Sequence, residues 1–453
     1  MSSFEPGGLF GHLFGRGAAA VSDEAWLQAM LDVEAALARA AERAGLAAAG
    51  AGAAVTAAAR AGQFDLAELG RQAAMTGNPV PALVRALTGK VPQHCASAVH
   101  LGATSQDVID TAMMLLARQV LDPLLADLSA AAGSAASLAS RYRDTVMIGR
   151  TLLQQAVPVT FGLVAAGWLT GIDEAQHQLA MIRAQRLAIQ FGGAAGTLAA
   201  LGDAGPRLAA LLADELGLPA PVLPWHTDRL RIVELAAALA GAAAVLGKIA
   251  RDVTLLAQSE VAEVHEGGRR GGSSAMPNKH NPVAAVVILG CSRQVPGLLA
   301  TLAASAEQEH QRAAGAWHAE WEPLADLLRL TGSAAAWAAD LLAGLAVDPA
   351  RMRANLDAAG GLPMAEHVAG LLAPALGRLQ AHELVAQASA EAAATRRALS
   401  DVLSSAPFSD RFAAAGIGSA EVLSALDPMS YLGSAGHFVE QALAAHLERQ
   451  PQG

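Results

Sequence analysis

The chain has 453 residues, of which 53% are apolar and only 4% aromatic, and its formal net charge at pH 7 is −10. This length allows one large core or two to three domains, and abundant alanine favours closely packed helices over sheets. The negative charge argues against nucleic acid as a partner. The two cysteines, Cys95 and Cys291, fit a reducing compartment, and neither has metal-ligand spacing. We therefore expect a soluble, cytoplasmic, helical protein whose thiols are both buried.

Nothing in the sequence indicates export or membrane insertion. The N-terminus lacks a basic region followed by an apolar core, which a signal peptide would need. The longest charge-free apolar runs, such as residues 235–247, fall short of the roughly 20 residues that a membrane span requires. The sequence therefore predicts no membrane partner.

The predicted elements are helices almost throughout. Apolar residues at helical spacing predict a long amphipathic helix over residues 26–47, whereas three prolines allow only short helices over 77–101. From residue 107 to about 345 the pattern is nearly unbroken helix, and shorter helices divided by prolines follow residue 349. The expected interruptions of the long pattern lie at 192–193, near 206, at 218–224 and at a glycine-rich loop.

Helices this long and this rich in small residues are typical of a bundle core. The sequence therefore predicts an all-α fold with three domains. These are an N-terminal helical domain over 1–106, a central long-helix bundle over 107–348 with a loop at 265–282, and a C-terminal helical domain over 349–453.

The loop at 265–282 is the most informative segment. Four glycines and two serines within residues 267–274 disfavour any regular element. It ends in Asn281-Pro282, an N-cap followed by proline at the first helical position, and a helix start favours a carboxylate in front of it. The loop also carries cations, hydroxyls and an amide: Arg269, Arg270, Lys279, Ser273, Ser274 and Asn278. We interpret it as a lid over an anionic substrate; an ordinary Gly/Ser linker is the alternative.

A second polar block, His100–Asp107, precedes a helix predicted over 108–121. Thr104 and Asp107 suit a capping-box-like pair. Ser105 and Gln106 would then be spare polar groups at a helix N-terminus, where they could hold a carboxylate. Taken alone, this block is equally consistent with a helix cap and with a binding site.

These blocks resemble conserved segments of the fumarase/aspartase superfamily. Residues 272–282 meet every fixed position of its Gly-Ser-Ser-x-Met-Pro-x-Lys-x-Asn-Pro signature. The blocks at 100–107 and 149–162 are similar to two further segments of the superfamily. The first block is closest to the branch that contains adenylosuccinate lyase and the carboxymuconate cycloisomerases, and the resemblance extends from Leu31 to Gly433.

The resemblance implies a homotetramer built around a twenty-helix core, with five long helices from each subunit and no metal, nucleotide or redox cofactor. Each of four active sites would combine the Thr104, Gln154 and Ser273 segments of three different subunits. It further implies that Ser273 moves the proton at the carbon alpha to a carboxylate, while Lys279 and Asn281 stabilise the carbanion. The expected contacts to a small polycarboxylate substrate are Thr104, Ser105, Gln106, Gln154, Met276, Arg269 and Arg270.

One departure from the family pattern narrows the expected reaction. The histidine that serves as general acid or its relay in many of these lyases is Leu152 here, and its glutamate partner is Val286. Hydroxide and amines need a proton in order to leave, whereas a carboxylate can attack or leave without one.

Together with this departure, the resemblance implies a cycloisomerase of the protocatechuate (beta-ketoadipate) branch of aromatic catabolism. In that reaction one carboxylate of 3-carboxy-cis,cis-muconate adds to a conjugated double bond and closes a lactone. A β-eliminating lyase that releases fumarate, like adenylosuccinate lyase, is the alternative. A non-catalytic structural tetramer is a further one.

Overall fold

The computed structural model of the chain describes residues 8–16, 18–268 and 270–449. It is 68% helical, and the strands within the described residues form two short antiparallel pairs, which confirms the all-α fold class. The helices are α1 (Gly11–Phe14), α2 (Asp23–Arg43), α3 (Ala51–Ala58), α4 (Leu66–Thr76), α5 (Val80–Thr88), α6 (Ser105–Arg141), α7 (Phe161–Gln185), α8 (Gly205–Leu216), α9 (Leu230–Leu256), α10 (Val283–Ala304), α11 (Trp321–Ala343), α12 (Pro349–Ala358), α13 (Ala365–Leu376), α14 (Arg378–Thr395), α15 (Leu399–Leu403), α16 (Phe408–Ala414), α17 (Ser419–Ser424) and α18 (Ala435–Arg449). The strands are β1 (Val146–Thr151), β2 (Gln154–Thr160), β3 (Val264–Glu266) and β4 (Leu345–Val347).

The described residues divide into two compact units. Unit 1 takes up the chain as far as Ser129 together with Glu174–Ala250 and Val286–Ala339. Unit 2 takes up Ala130–Asp173, Arg251–Ala285 and the chain from Asp340 onward. The five longest described helices, α6, α7, α9, α10 and α11, each have residues in both units. The three-domain division expected from the sequence follows a different criterion, helix length along the chain, and it stays a prediction.

The predicted N-terminal helix is present as α2, shifted toward the N-terminus by about one turn. Its N-cap is Ser22, whose side chain accepts a hydrogen bond from Ala25 N–H at 3.2 Å. Asp23 and Glu24 in the first turn complement the helix dipole. The short helices expected among the prolines of 77–101 are also found, as α5 and one 3₁₀ turn.

A β-hairpin interrupts the long helical pattern at a place that the sequence analysis did not predict. Helix α6 continues to Arg141, well past the predicted end at residue 121, although Pro123 lies inside it. Strands β1 and β2 then pair, with Thr151 opposite Gln154. Leu152 and Leu153 therefore form a two-residue turn with φ of 51° and 63°. Such turns normally use Asn or Gly because both central residues are left-handed, so Leu-Leu gave no turn signal.

Among the described residues, two helices are long and apolar enough to cross a membrane by length and composition, Leu230–Leu256 and Val283–Ala304. The sequence analysis, which counted charge-free runs, expected no such segment, but both helices contain an 18-residue stretch with no more than two charged residues. Core helices of soluble proteins meet the same criterion. Within this chain, 50% of the most apolar window of the first helix and 33% of that of the second are buried.

Unit 2 contains an apolar core built by its C-terminal helices, α13–α17. Side chains from all five helices are buried together there. The large ones are Val368, Leu372, Leu384, Val385, Leu399, Val402, Leu403, Phe408, Phe412 and Val422. A smaller cluster joins β1 to α12 through Val146, Ile148 and Leu356.

Unit 1 contains a fully buried ion cluster around Arg229. Its guanidinium donates to Asp110 at 2.7 Å from Nη1 and to Glu320 at 3.0 Å from Nε, and all three side chains are 0% exposed. Burial alone would lower the pKa of Arg229, but the two carboxylates raise it above its usual value. Burial raises the pKa of Glu320. Trp317 Nε1 adds a hydrogen bond to Asp110 at 3.0 Å.

We predict that Arg229→Met lowers the free energy of unfolding by about 3–5 kcal/mol, because two buried carboxylates would lose their cation. The matched control is Arg353→Met, which removes a half-exposed guanidinium paired with Asp357 on α12 and should cost less than about 1 kcal/mol. Urea unfolding at pH 7 and fixed protein concentration measures both changes. Equal losses in the two variants would contradict the account of the buried cluster.

Candidate active site

The glycine-rich loop, in unit 2, is folded into a tight turn around Ser273. Ser273 Oγ accepts hydrogen bonds from Met276 N–H at 3.1 Å and from Ala275 N–H at 3.3 Å. Donors of this kind stabilise an anionic oxygen more than a neutral hydroxyl, so they favour the ionised serine. Lys279 N–H donates to Met276 O at 3.1 Å and closes the turn. This geometry suits the proton-transfer role predicted for Ser273, and that role stays a prediction.

The two ends of this turn meet at Gly271 and Asn281. Gly271 O accepts from Asn281 N–H at 2.8 Å and from Asn281 Nδ2 at 3.1 Å. Gly271 has φ of +94°, and a Cβ there would lie 2.2 Å from Asn281 O, so only glycine fits. Gly272 and His280 form an antiparallel bridge beside this pair. Asn281 therefore closes the neck of the loop, in addition to the carbanion-stabilising role that the sequence predicts for it.

The predicted cations of the loop differ in their surroundings. Lys279 is exposed, whereas Arg270 donates from Nη2 to Asp340 Oδ2 at 3.0 Å. Arg269 lies outside the described residues. Met276, predicted as a substrate contact, is 47% exposed. The ion pair with Asp340 makes Arg270 an anchor of the loop, and its contact with substrate stays a prediction.

The helix that follows the loop already holds a carboxylate at its N-terminus. Helix α10 begins at Val283, one residue after Pro282. Glu266 accepts from Ala284 N–H at 3.0 Å through Oε2 and from Ala285 N–H at 2.9 Å through Oε1. The sequence analysis expected these N–H groups to face a substrate carboxylate, but the protein's own glutamate satisfies them.

The second polar block lies at the N-terminus of α6, in unit 1. Thr104 N–H donates to Asp107 Oδ2 at 3.0 Å, which is the capping contact predicted from the sequence. Thr104 and Ser105 are half-buried, whereas Gln106 is 0% exposed. Gln106 Nε2 donates to His226 O at 2.8 Å, and its Oε1 accepts from Arg312 Nη1 at 3.4 Å. Protein partners at both ends of this amide favour a positioning role, so substrate contact by Gln106 stays a prediction without geometric support.

Asp107 organises the surroundings of this block. Its Oδ1 accepts from Gly192 N–H at 3.0 Å and lies 2.7 Å from His226 Nε2. Its Oδ2 accepts from Gly193 N–H at 2.9 Å in addition to Thr104 N–H. Four donors thus satisfy a carboxylate on a residue that is 1% exposed. The sequence analysis gave no role to His226 or to the glycine pair.

The sequence analysis gave no role to two further side chains at this block, His100 within it and Arg312 beside it. His100 Nδ1 lies 2.7 Å from Glu34 Oε1, and His100 N–H donates to Glu34 Oε2 at 2.8 Å. Burial lowers the pKa of His100, but the Glu34 carboxylate raises it more, so the net shift is upward. Arg312 donates to Ala194 O at 2.8 Å from Nη2. No spacing rule reveals either residue, because their partners are distant in sequence.

The described side chains offer no candidate metal centre. No group of three or more His, Cys, Asp or Glu in the described ranges is arranged to hold a metal ion. The two histidines nearest to the second polar block are engaged with carboxylates instead, His100 with Glu34 and His226 with Asp107.

The third predicted segment is the β1–β2 hairpin of unit 2. Gln154 begins β2 and is exposed, and the turn residues Leu152 and Leu153 are 96% and 74% exposed. The hairpin is anchored close to its turn, because Arg150 Nη2 pairs with the buried Glu263 Oε1 at 2.7 Å. Two exposed leucines in left-handed conformations cost free energy, both through backbone strain and through apolar surface exposed to water. Such an outlier indicates a functional or interface position.

Comparison with known proteins supports the family that the signature loop indicates. Residues 15–297 match a family model described as Lyase, and residues 361–442 match one described as adenylosuccinate lyase C-terminus. The chain is 48% identical over 436 residues to 3-carboxy-cis,cis-muconate cycloisomerase of Bradyrhizobium diazoefficiens, covering 95% of this chain and 96% of that one. It is 47% identical over 438 residues to nitrosuccinate lyase of Streptomyces davaonensis, covering 94% and 91%.

The fold leads to the same family. The crystal structure of 3-carboxy-cis,cis-muconate lactonizing enzyme from Pseudomonas putida matches with a TM-score of 0.88 and 43% identity, covering 97% of this chain and 99% of that one. The Lyase model alone spans more than half of the sequence. The chain therefore belongs to the Lyase family, the fumarase/aspartase superfamily.

Proposed function

We propose that the chain is a cofactor-independent cycloisomerase that closes 3-carboxy-cis,cis-muconate to 4-carboxymuconolactone. The observation that carries this proposal is the combination of Leu152 and Val286 with an intact Ser273, Lys279 and Asn281 set. The retained residues supply proton chemistry at carbon, whereas the two apolar residues remove the proton donor to oxygen. The similarity to the Bradyrhizobium cycloisomerase supports the assignment.

In the lactonising direction, one substrate carboxylate attacks the conjugated double bond and forms the new C–O bond. The electron pair moves to the carbon alpha to a second carboxylate, where the charge of Lys279 stabilises the enolate. Ser273 gives its hydroxyl proton to that carbon. The N–H groups of Ala275 and Met276 then stabilise the alkoxide until it regains a proton from solvent. No proton goes to a substrate oxygen, so nothing at position 152 has to titrate.

The site, in this proposal, forms between subunits of a cytoplasmic homotetramer, with the Thr104, Gln154 and Ser273 segments coming from three different chains. Exposed apolar side chains in the single chain favour an assembly that covers them. They include Leu152, Leu153 and, at 53% exposure, Val286.

Both cysteines are free and buried, as expected for a reducing compartment, and burial raises the pKa of Cys291 to about 11.

Elimination of nitrite from nitrosuccinate is the second candidate function. The similarity to the Streptomyces nitrosuccinate lyase favours it specifically. Nitrite, like a carboxylate, is a weak base that leaves without protonation, so Leu152 and Val286 are compatible with both reactions. The two differ in the fate of the leaving group, which stays in the molecule only in the cycloisomerase.

The test offers the purified protein both substrates. We expect loss of the diene ultraviolet absorbance of 3-carboxy-cis,cis-muconate, a lactone identified by NMR, and a kcat/KM at least about 100-fold above that for nitrosuccinate. Nitrite release without lactone formation would overturn the proposal in favour of the second candidate. Fumarate release from adenylosuccinate would revive the lyase alternative.

We predict that Ser273→Ala lowers kcat/KM by at least about 1,000-fold, because the proton donor to carbon is lost. Ser274→Ala is the matched control, since the neighbouring hydroxyl is exposed on the same loop, and it should cost far less. Steady-state kinetics, with size-exclusion chromatography to check assembly, measure both. Turnover of Ser273→Ala within a few-fold of the parent would show that another group moves the proton.

A second prediction concerns the neck of the loop. Gly271→Ala places a Cβ against Asn281 O, whereas Gly268→Ala introduces a methyl group at a similar φ, +95°, with nothing within 4 Å. Because the two glycines have nearly the same positive φ, the difference between the variants reports mainly the clash with Asn281 O. We expect kcat/KM to fall at least about 30-fold further in Gly271→Ala than in Gly268→Ala. Equal losses would mean that the neck does not position the loop.

A third prediction concerns the absent acid dyad. Leu152→His combined with Val286→Glu restores the lyase-like pair, yet we expect no gain in lactonisation at any pH between roughly 6 and 9, where the pair could titrate. The parent enzyme, measured over the same range, provides the reference for any pH dependence that does not come from the new pair. A clear rate increase with a new pH limb in the double variant would show that proton delivery to oxygen matters.

A further inference from the structure

Glu266 joins the two ends of the signature loop. It is the last residue of β3 and pairs with Leu345 of β4. Its two carboxylate oxygens accept from Ala284 and Ala285 N–H in the first turn of α10, 18 and 19 residues further along the chain. The Glu266 side chain therefore connects the start of the loop that carries Ser273 and Lys279 to the helix at its end.

The strand end that carries Glu266 is itself well fixed. Strands β3 and β4 pair over three residues, and Gly267 N–H continues the pairing with a 2.9 Å hydrogen bond to Gly344 O. A Cβ on Gly267 would lie 2.7 Å from Gly344 O, so the backbones approach as closely as glycine allows. The backbone that carries the Glu266 side chain is thus fixed, and the carboxylate therefore holds the first turn of α10 in a defined position.

Glu266 also performs a function that the sequence assigns to another residue. Asn281-Pro282 is an N-cap sequence, and an Asn at N-cap normally accepts from the N–H two or three residues ahead. Here Ala284 N–H donates to Glu266, and Asn281 Nδ2 donates to Gly271 O at the loop neck. The helix cap comes from outside the helix, and the asparagine side chain is directed to the loop.

We propose that Glu266 is a positioning residue of the reaction. By capping α10 it keeps the Asn281 side chain turned into the loop, and through Asn281 it fixes the segment that carries Lys279. This inference rests on the proposed function only for its kinetic consequences. The geometric part, that the carboxylate orders the loop, holds for any reaction at this site.

An alternative explanation is that Glu266 only stabilises the fold, as an ordinary helix cap does. The two explanations differ in what happens when Asn281 is also changed. A cap that acts only on stability affects turnover independently of Asn281. A positioning residue that acts through Asn281 has no further effect on kcat once that side chain is gone.

The experiment compares Glu266→Ala and Glu266→Gln with Glu260→Gln, a control that removes an exposed carboxylate of the same unit. Trypsin cleavage after Arg270 and Lys279, followed by mass spectrometry without substrate, reports the order of the loop. We expect cleavage about tenfold faster in Glu266→Ala, a smaller increase in Glu266→Gln, which keeps one acceptor, and no change in the control. This measurement does not depend on which substrate the enzyme uses.

Turnover supplies the second part of the test. We expect kcat to fall about 50-fold in Glu266→Ala, and Glu266→Ala with Asn281→Ala to be no slower than Asn281→Ala alone. Losses that multiply in the double variant would overturn the proposal, and so would parental cleavage rates in Glu266→Ala. If Glu266→Ala does not fold, the same comparisons are made with Glu266→Gln. If the protein fails to convert carboxymuconate, the cleavage rates alone decide whether Glu266 orders the loop.

Discussion

Two carboxylates on the first turns of α6 determine much of the irregular structure of unit 1. Asp107 and Asp110 are 1% and 0% exposed, and a buried charge is tolerated only when donors or a cation satisfy it. Asp107 receives its donors from the Thr104 block, the Gly192-Gly193 turn and His226. Asp110 binds Arg229, which reaches on to Glu320. Loops far apart in sequence are thus held beside the predicted carboxylate-binding turn by the need to satisfy two charges.

Unit 2 contains a comparable buried carboxylate, Glu263. Glu263, 0% exposed, accepts from Arg150 near the turn of the hairpin, with 2.9 Å from Nη1 to Oε2, and from Asn355 Nδ2 on α12 at 2.8 Å. It stands just before β3, whose last residue, Glu266, caps α10. Removing any one donor from such a carboxylate leaves a buried charge partly unpaired, so these clusters hold one geometry firmly. A reaction that depends on a stabilised carbanion benefits from such preorganisation, because the stabilising groups need not reorganise during the reaction.

The features that could be predicted from the sequence are those that depend on local patterns or on the long signature. The all-α class, the α2 helix, the Thr104–Asp107 cap and the buried thiols all follow from composition, spacing or capping chemistry. The hairpin was missed because Leu152-Leu153 violates the turn preferences on which such predictions depend. The cap by Glu266 was missed because its partners are 18 and 19 residues away, so no local rule connects them. The environment of Gln106 was equally hidden, since His226 and Arg312 reach it only through the tertiary fold.

The proposed function requires that the three predicted segments form one active site only when copies of the chain come together. Complementation tests it most directly. Ser273→Ala and Gln154→Ala, each checked to be nearly inactive alone, are unfolded, mixed in equal amounts and refolded together. If the two residues of each site come from different subunits, about a quarter of the sites in random mixed tetramers are intact, and that share of activity returns. Mixed tetramers that form, as shown by native mass spectrometry, but remain inactive would contradict the claim.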